Sequence, residues 1–224
     1  MVIIMKKLLL ITVVIIQVNI TFAQFGISGG MSVLKSFTVP TPYFGLHIGG
    51  ELPKDDQLSF YGRATYYFKQ MEDQVNQLYL FSTDPAAPGV LINYQNSMNY
   101  TILEGGNRYY IGNGYDAGFG GYGGGNMMLI FNTVNRNYDY GNVDQSKYPL
   151  PSTEIPKGSI FNLAVGLGGG IKYTAAALGT FYFDLSAAYM ILSQASNPTA
   201  QGVVNTLYSP LIFNFSLGFR KDLY

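Results

Sequence analysis

Near the C-terminus the run LIFNFSLGF alternates strictly. Leu211, Phe213, Phe215, Leu217 and Phe219 fall on one face, and Ile212, Asn214, Ser216, Gly218 and Arg220 on the other. The run FYFDLSAAYMI repeats the pattern, with Phe181, Phe183, Leu185, Ala187, Tyr189 and Ile191 opposite Tyr182, Asp184, Ser186 and Ala188. Successive side chains of an extended chain point to opposite faces, so a period of two predicts strands. Applied along the chain, it predicts eight of them, over residues 24–34, 43–53, 57–69, 98–111, 116–131, 158–173, 179–192 and 208–220. The fourth has blurred alternation, which a bulge would produce. Segments of about ten such residues suit a tilted strand crossing a bilayer.

The connections sort by parity. Residues 54–56, 112–115 and 174–178 make short turns, whereas 35–42, 70–97, 132–157 and 193–207 are longer and the longest are rich in Asn, Asp, Ser, Pro and Tyr. Outer-membrane barrels have short periplasmic turns and long external loops, and a soluble sandwich has no reason to sort its loops this way. The expected fold is therefore all-β: an eight-stranded antiparallel up-and-down transmembrane β-barrel. Its N- and C-termini are expected in the periplasm of a Gram-negative bacterium.

The N-terminus agrees with that compartment. Lys6 and Lys7 precede the apolar run LLLITVVII, and Thr21-Phe22-Ala23 ends the stretch before Gln24. A basic start, a short apolar core and small residues at the cut describe a secretory signal peptide. Residues 1–23 are thus expected to be removed, leaving 24–224 as the barrel. No cysteine is present, which excludes disulfides and thiolate metal sites. Loss of Lys6 and Lys7 leaves 11 basic residues against 13 acidic ones, a balance that gives no electrostatic basis for binding nucleic acid. Charged residues are 12% of the chain, about half the roughly 25% usual for soluble domains. Part of the surface therefore needs an apolar environment.

The signal peptide ending FAQ, the eight alternating strands and the terminal SLGFRKDLY resemble the small outer-membrane β-barrel (porin-family-like) proteins of Bacteroidota-type bacteria. The resemblance covers the whole mature chain and rests on pattern and termini. It implies outer-membrane lipid as surroundings and insertion by the barrel assembly machinery through the last strand. Tyr224 departs from the pattern, being out of phase with Phe215, Leu217 and Phe219.

Three constellations bear on function. The stretch GFGGYGGGN contains G-x-G-x-x-G at Gly118, Gly120 and Gly123, a spacing that cradles phosphate on a strand–turn–helix unit. The chain continues into NMMLIFN, still alternating, so these glycines belong to a strand. With Gly121, Gly124 and Gly125, Gly105 and Gly106, and Gly166, Gly168, Gly169 and Gly170, they form a glycine-rich wall over three adjacent strands. Such a wall supplies curvature and room for Tyr side chains, or a shallow external groove for a lipid chain or protein partner.

The second constellation is the lumen. With the apolar faces outward, His47, Glu51, Arg63, Lys69, Glu104, Arg108, Lys172, Asp184 and Arg220 point inward. Eight strands leave a bore that side chains fill, and charges within it must pair. Arg63, Glu104 and Asp184, midway along their strands, are expected to close it. The third is external: Tyr79, Phe81, Tyr94, Tyr138, Tyr140 and Tyr148 populate the long loops, a surface suited to protein contacts.

Lipid-modifying barrels use a His with a Ser or an acid near the membrane edge. The single His47 lies mid-lumen with no nucleophile beside it in sequence, so no enzyme, cofactor or metal site is expected. The favoured role is a structural or interaction component working through the external loops or outer wall. A narrow channel or lateral conduit is the alternative, and a lipid-modifying enzyme the second alternative.

Overall fold

The computed structural model describes residues 25–37, 41–116, 118–152, 154–175, 178–197 and 209–223. The expected signal peptide (1–23), Gln24 and Tyr224 lie outside the described residues. Among the described residues nine strands follow one another: β1 (Phe25–Ser36), β2 (Tyr43–Pro53), β3 (Leu58–Met71), β4 (Asn76–Leu80), β5 (Val90–Gly112), β6 (Gly118–Asp139), β7 (Lys157–Ala175), β8 (Gly179–Ala195) and β9 (Leu211–Leu223). Every pairing is antiparallel. β9 joins β1, and β3 joins β5 past β4, so eight strands close a ring and β4 hangs on β5 outside it. Closure removes the open edges that an eight-stranded sheet would otherwise carry.

The segment 70–97, expected as a loop, holds β4 and the upper part of β5, and residues 132–139 continue β6. NQLYL and its partner residues 90–94, VLINY, are five positions each without polar–apolar alternation, and the Ser-, Asp- and Pro-containing stretch FSTDPAAPG separates them. That is below the length a bilayer-crossing strand needs, so a pattern matched to crossing strands passes over them.

β1 and β9 meet at Phe25↔Leu223, at the end of the ring that carries the short turns after β2, β5 and β7. The longer connections occupy the opposite end. Between β5 and β6 the turn opens at Gly112 (φ 92°) and closes at Gly118 (φ 56°), left-handed backbone that a β-carbon disfavours.

The alternation sets two faces. Outward go Ile27, Met31, Leu46, Ile48, Leu167 and Leu217, all at least half exposed. The inner face is not polar throughout, as the alternation of β8 and β9 suggested. Its long-loop half is an apolar plug of Leu34, Tyr43, Tyr67, Met98, Tyr100, Ile102, Met128, Ile130, Val134, Ile160, Met190 and Ile212, with Tyr43 set edge-on to Tyr100 at 4.8 Å. On β6 both faces are apolar here, so neither can be assigned to the lumen by polarity, and on β5 the outward Asn99 and Thr101 are more polar than the inward Met98, Tyr100 and Ile102. Burial of each large side chain is worth about 1.5–3 kcal/mol.

Two register shifts interrupt the ladders, between Tyr67 and Gln70 on β3 and at Leu163/Ala164 between β7 and β8. None is recorded between β5 and β6, although the blurred alternation of the fourth expected strand pointed to a bulge there. The β3 shift corrects Lys69. An extra residue there breaks the inside–outside alternation, and Phe68 and Lys69 are both exposed instead of Lys69 entering the lumen.

Candidate functional site

The short-turn half of the lumen is ionic. Arg63 on β3 sits in register with Glu104 on β5. Its Nη2 and Nε donate to Glu104 Oε2 at 2.6 and 3.0 Å, and its Nη1 donates to Asp184 Oδ2 at 2.9 Å. Asp184 Oδ2 also accepts from Arg108 Nη2 at 2.8 Å, and Arg108 Nη1 donates to Glu51 Oε2 at 2.6 Å. Glu51 Oε2 accepts further from Arg220 Nη1 at 3.1 Å. Arg220 Nε then lies 3.0 Å from Asp222 Oδ1, an ion pair without the angle of a hydrogen bond. Positive and negative groups thus alternate along one chain: Glu104, Arg63, Asp184, Arg108, Glu51, Arg220, Asp222.

Neutral groups fill the remaining bonding positions. Tyr61 and Asn126 donate to Glu104 Oε1 at 2.6 and 2.7 Å, Ser59 donates to Glu51 at 2.5 Å, and the Tyr110 and Tyr122 hydroxyls donate to Glu51 and Asp184. Arg108 lies over the Tyr61 ring at 4.4 Å and the Tyr122 ring at 4.9 Å. Desolvating these ions is costly, and the charge-assisted bonds among them offset it. Amid Tyr61, Arg63, Glu104, Arg108, Tyr122 and Asp184 a cavity of about 20 Å³ remains, room for about one water.

Lys172 stands nearer the mouth. Its Nζ donates to the Tyr115 carbonyl at 2.7 Å and to Thr174 Oγ1 at 3.1 Å. Tyr115 belongs to the β5–β6 turn, which folds inward so that its ring is 1% exposed and lies 3.7 Å from the Arg220 guanidinium carbon. Its hydroxyl donates to Asp222 at 2.8 Å, and its amide donates to the Asp56 carbonyl at 2.8 Å. The turn corks the short-turn end. Nothing in the residue pattern signals this, since a turn residue's parity predicts nothing.

His47 is 2% exposed with both nitrogens engaged: Nδ1 with Ser32 Oγ at 2.8 Å and Nε2 with the Tyr182 hydroxyl at 2.7 Å. Ser32 continues to Ser216 at 2.7 Å. The hydroxyl that sequence neighbours did not supply thus comes from β1. His47 is opposite Gly30 in that register, so Ser32 is its diagonal neighbour two residues on.

The glycine wall is continuous across strands, with Gly123↔Gly169 and Gly124↔Gly168 in register, and it has two faces. Gly106, Gly120, Gly124, Gly166, Gly168 and Gly170 point inward among the lumen side chains. A β-carbon on Gly170 would meet the Tyr122 hydroxyl at 2.6 Å and the Phe183 carbonyl. Gly105, Gly121, Gly123, Gly125 and Gly169 point outward. On the first four, a β-carbon would meet nothing nearer than 3.6 Å. The outward row also runs on through Gly62 and Gly50, in the register Gly50↔Gly62↔Gly105, which extends the wall onto two strands where it was not expected.

Beyond the ring, β4 and the ends of β5 and β6 form a blade. Arg136 pairs with Glu154 at 2.8 Å and lies over the Tyr94 ring at 4.5 Å, while Tyr138 donates to Glu154 at 2.8 Å. Burial, then the bond to Glu154, pushes the Tyr138 phenol up to about 12. Tyr79 and Phe81 stack edge-on at 5.1 Å and remain exposed.

No protein-family model and no curated protein matches the chain. Among solved structures it is similar in outline to Neisserial surface protein A, at 12% identity over 88% of this chain and 95% of that one, with a TM-score of 0.45. The attachment invasion locus protein Ail of Yersinia pestis, in complex with the heparin analogue sucrose octasulfate, gives 12% identity, 89% and 99% coverage, and 0.44. A major outer membrane protein from Thermus thermophilus gives 11% identity, 90% and 99% coverage, and 0.45. At such identities the likeness is one of general outline.

Proposed function

We propose that the chain is an integral outer-membrane barrel with a sealed lumen, acting as a structural or interaction component through what it presents outside. The single observation behind this is the filling of the bore in successive layers: the Tyr115 cork, the ionic chain, and the apolar plug. A conduit needs a continuous wet path. Here the space among the ionic groups of the lumen holds about one water. The outward row of exposed apolar side chains supports a lipid surround, because a water-soluble protein rarely exposes so continuous an apolar belt.

In this orientation the short turns and both termini face the periplasm, the blade faces outward, and the partners are membrane lipid, the assembly machinery during insertion, and a protein met outside. The chain has no cysteine, so single cysteines report topology without background. Gln77→Cys, on the blade, is expected to react with a membrane-impermeant maleimide on intact cells, and Lys54→Cys, in a short turn, only after lysis. Release of the protein into the soluble fraction, or the reverse labelling pattern, would sink the proposal.

A further inference from the structure

β5 and β6 outrun the ring. β3 leaves β5 at Met71↔Ser97, and β7 leaves β6 at Lys157↔Asn135. Above those pairs β5 and β6 continue from Asn96↔Arg136 to Asn93↔Asp139, and β4 adds to β5 from Asn76↔Tyr94 to Leu80↔Val90. The two edges of this three-stranded blade are treated differently. The β6 edge is anchored at Arg136, whose amide donates to the Pro156 carbonyl at 2.8 Å and whose side chain holds Glu154. The tip is braced as well, since the Thr83 amide donates to the Lys147 carbonyl at 2.9 Å.

The β4 edge is open. Among the described residues, no hydrogen bond outside the β5 ladder engages the backbone of residues 76–80. Alternate residues of an antiparallel strand turn their N–H and C=O away from the partner, so β4 presents a short row of free donors and acceptors. Proteins blunt such edges with Lys, Pro or a bulge, and NQLYL has none of these. Gln77, Tyr79 and Phe81 are exposed beside it, with Phe81 at 73%.

Charge narrows the occupant. Residues 72–107 contain no Lys or Arg, and exposed Asp73 and Asp84 flank β4 on either side. Resting on the outward orientation proposed above, we infer that the outer edge of β4 accepts an extended, basic segment of a partner protein as an added strand. Main-chain bonds would give affinity, the exposed Tyr79 would pack against alternate side chains, and the two aspartates would select basic ends.

Three probes test it on the full-length protein in lipid nanodiscs, with a fluorophore on Gln77→Cys. The first is the peptide Lys-Thr-Val-Thr-Val-Thr-Val-Lys, the second its Glu-ended counterpart, and the third the Lys-ended peptide N-methylated at every residue between the lysines, which blocks both of its edges. Saturable binding of the first is expected, with the other two weaker by about tenfold or more. In the variant carrying Asp73→Lys and Asp84→Lys the preference should reverse to the Glu-ended peptide. No binding of the first probe, equal binding of the N-methylated one, or barrels dimerising through β4 without peptide would overturn the inference. Surface labelling on cells is read separately: labelling without binding sinks this inference alone, and binding without labelling sinks the orientation.

Discussion

Arg63 spans the bore. Its Nη2 and Nε grip Glu104 on the neighbouring strand β5, while its Nη1 reaches Asp184 on β8, which lies across the ring, as far from β3 in one direction as in the other. One guanidinium thus ties opposite walls together in a buried environment, where its loss leaves two carboxylates short of a partner.

Arg63→Ala is therefore expected to lower the unfolding free energy by about 3–5 kcal/mol, the range for breaking a buried ion pair. Adding Glu104→Ala should cost less than the two single changes summed, because the second change removes the charge the first left exposed. Urea unfolding in detergent, followed by heat-modifiable gel migration, checks both. Additive costs would mean that Arg63 and Glu104 do not interact.

The glycine wall divides by face. Gly170→Ala puts a methyl against the Tyr122 hydroxyl and the Phe183 carbonyl, so it should destabilise by about 1–3 kcal/mol. Gly123→Ala meets only the Gly168 carbonyl at 3.6 Å, an ordinary contact, from an unstrained backbone. It should be neutral or stabilise by about 0.4–1 kcal/mol through the unfolded chain. The same unfolding measurement compares them, and equal costs would contradict the assignment of faces.

Much of this was legible in the residues, and the rest has identifiable causes. The ring followed from period two and loop parity because β8 and β9 are polar on one face and apolar on the other. The meeting of Arg63, Glu104 and Asp184 followed from parity too, since each strand places one charge at similar depth. Single-sequence polarity could not separate lumen from exterior where both faces are apolar, as around Met127 to Val134, and so the plug was missed. Lys69 failed because a bulge changes parity without marking the sequence. Ser32 and Tyr115 reach their partners by a diagonal contact and by an inward-folded turn, and neither has a sequence period.

The cork gives a graded test. Tyr115→Phe loses only the bond to Asp222, expected to cost about 1 kcal/mol. Tyr115→Ala also removes the ring packed on Arg220, and should cost about 3 kcal/mol. Neither should open the bore, because the ionic chain and the apolar plug lie behind it. Unfolding midpoints and dye exclusion from proteoliposomes check the two halves.

Planar-bilayer recording of the unmodified protein addresses the sealed lumen most directly. With the charges of Arg63, Arg108 and Arg220 bound to Glu104, Asp184 and Glu51, and apolar side chains stacked behind them, the insertion of single barrels should leave the membrane without steady conductance. A stable open current in proportion to the protein inserted would contradict it.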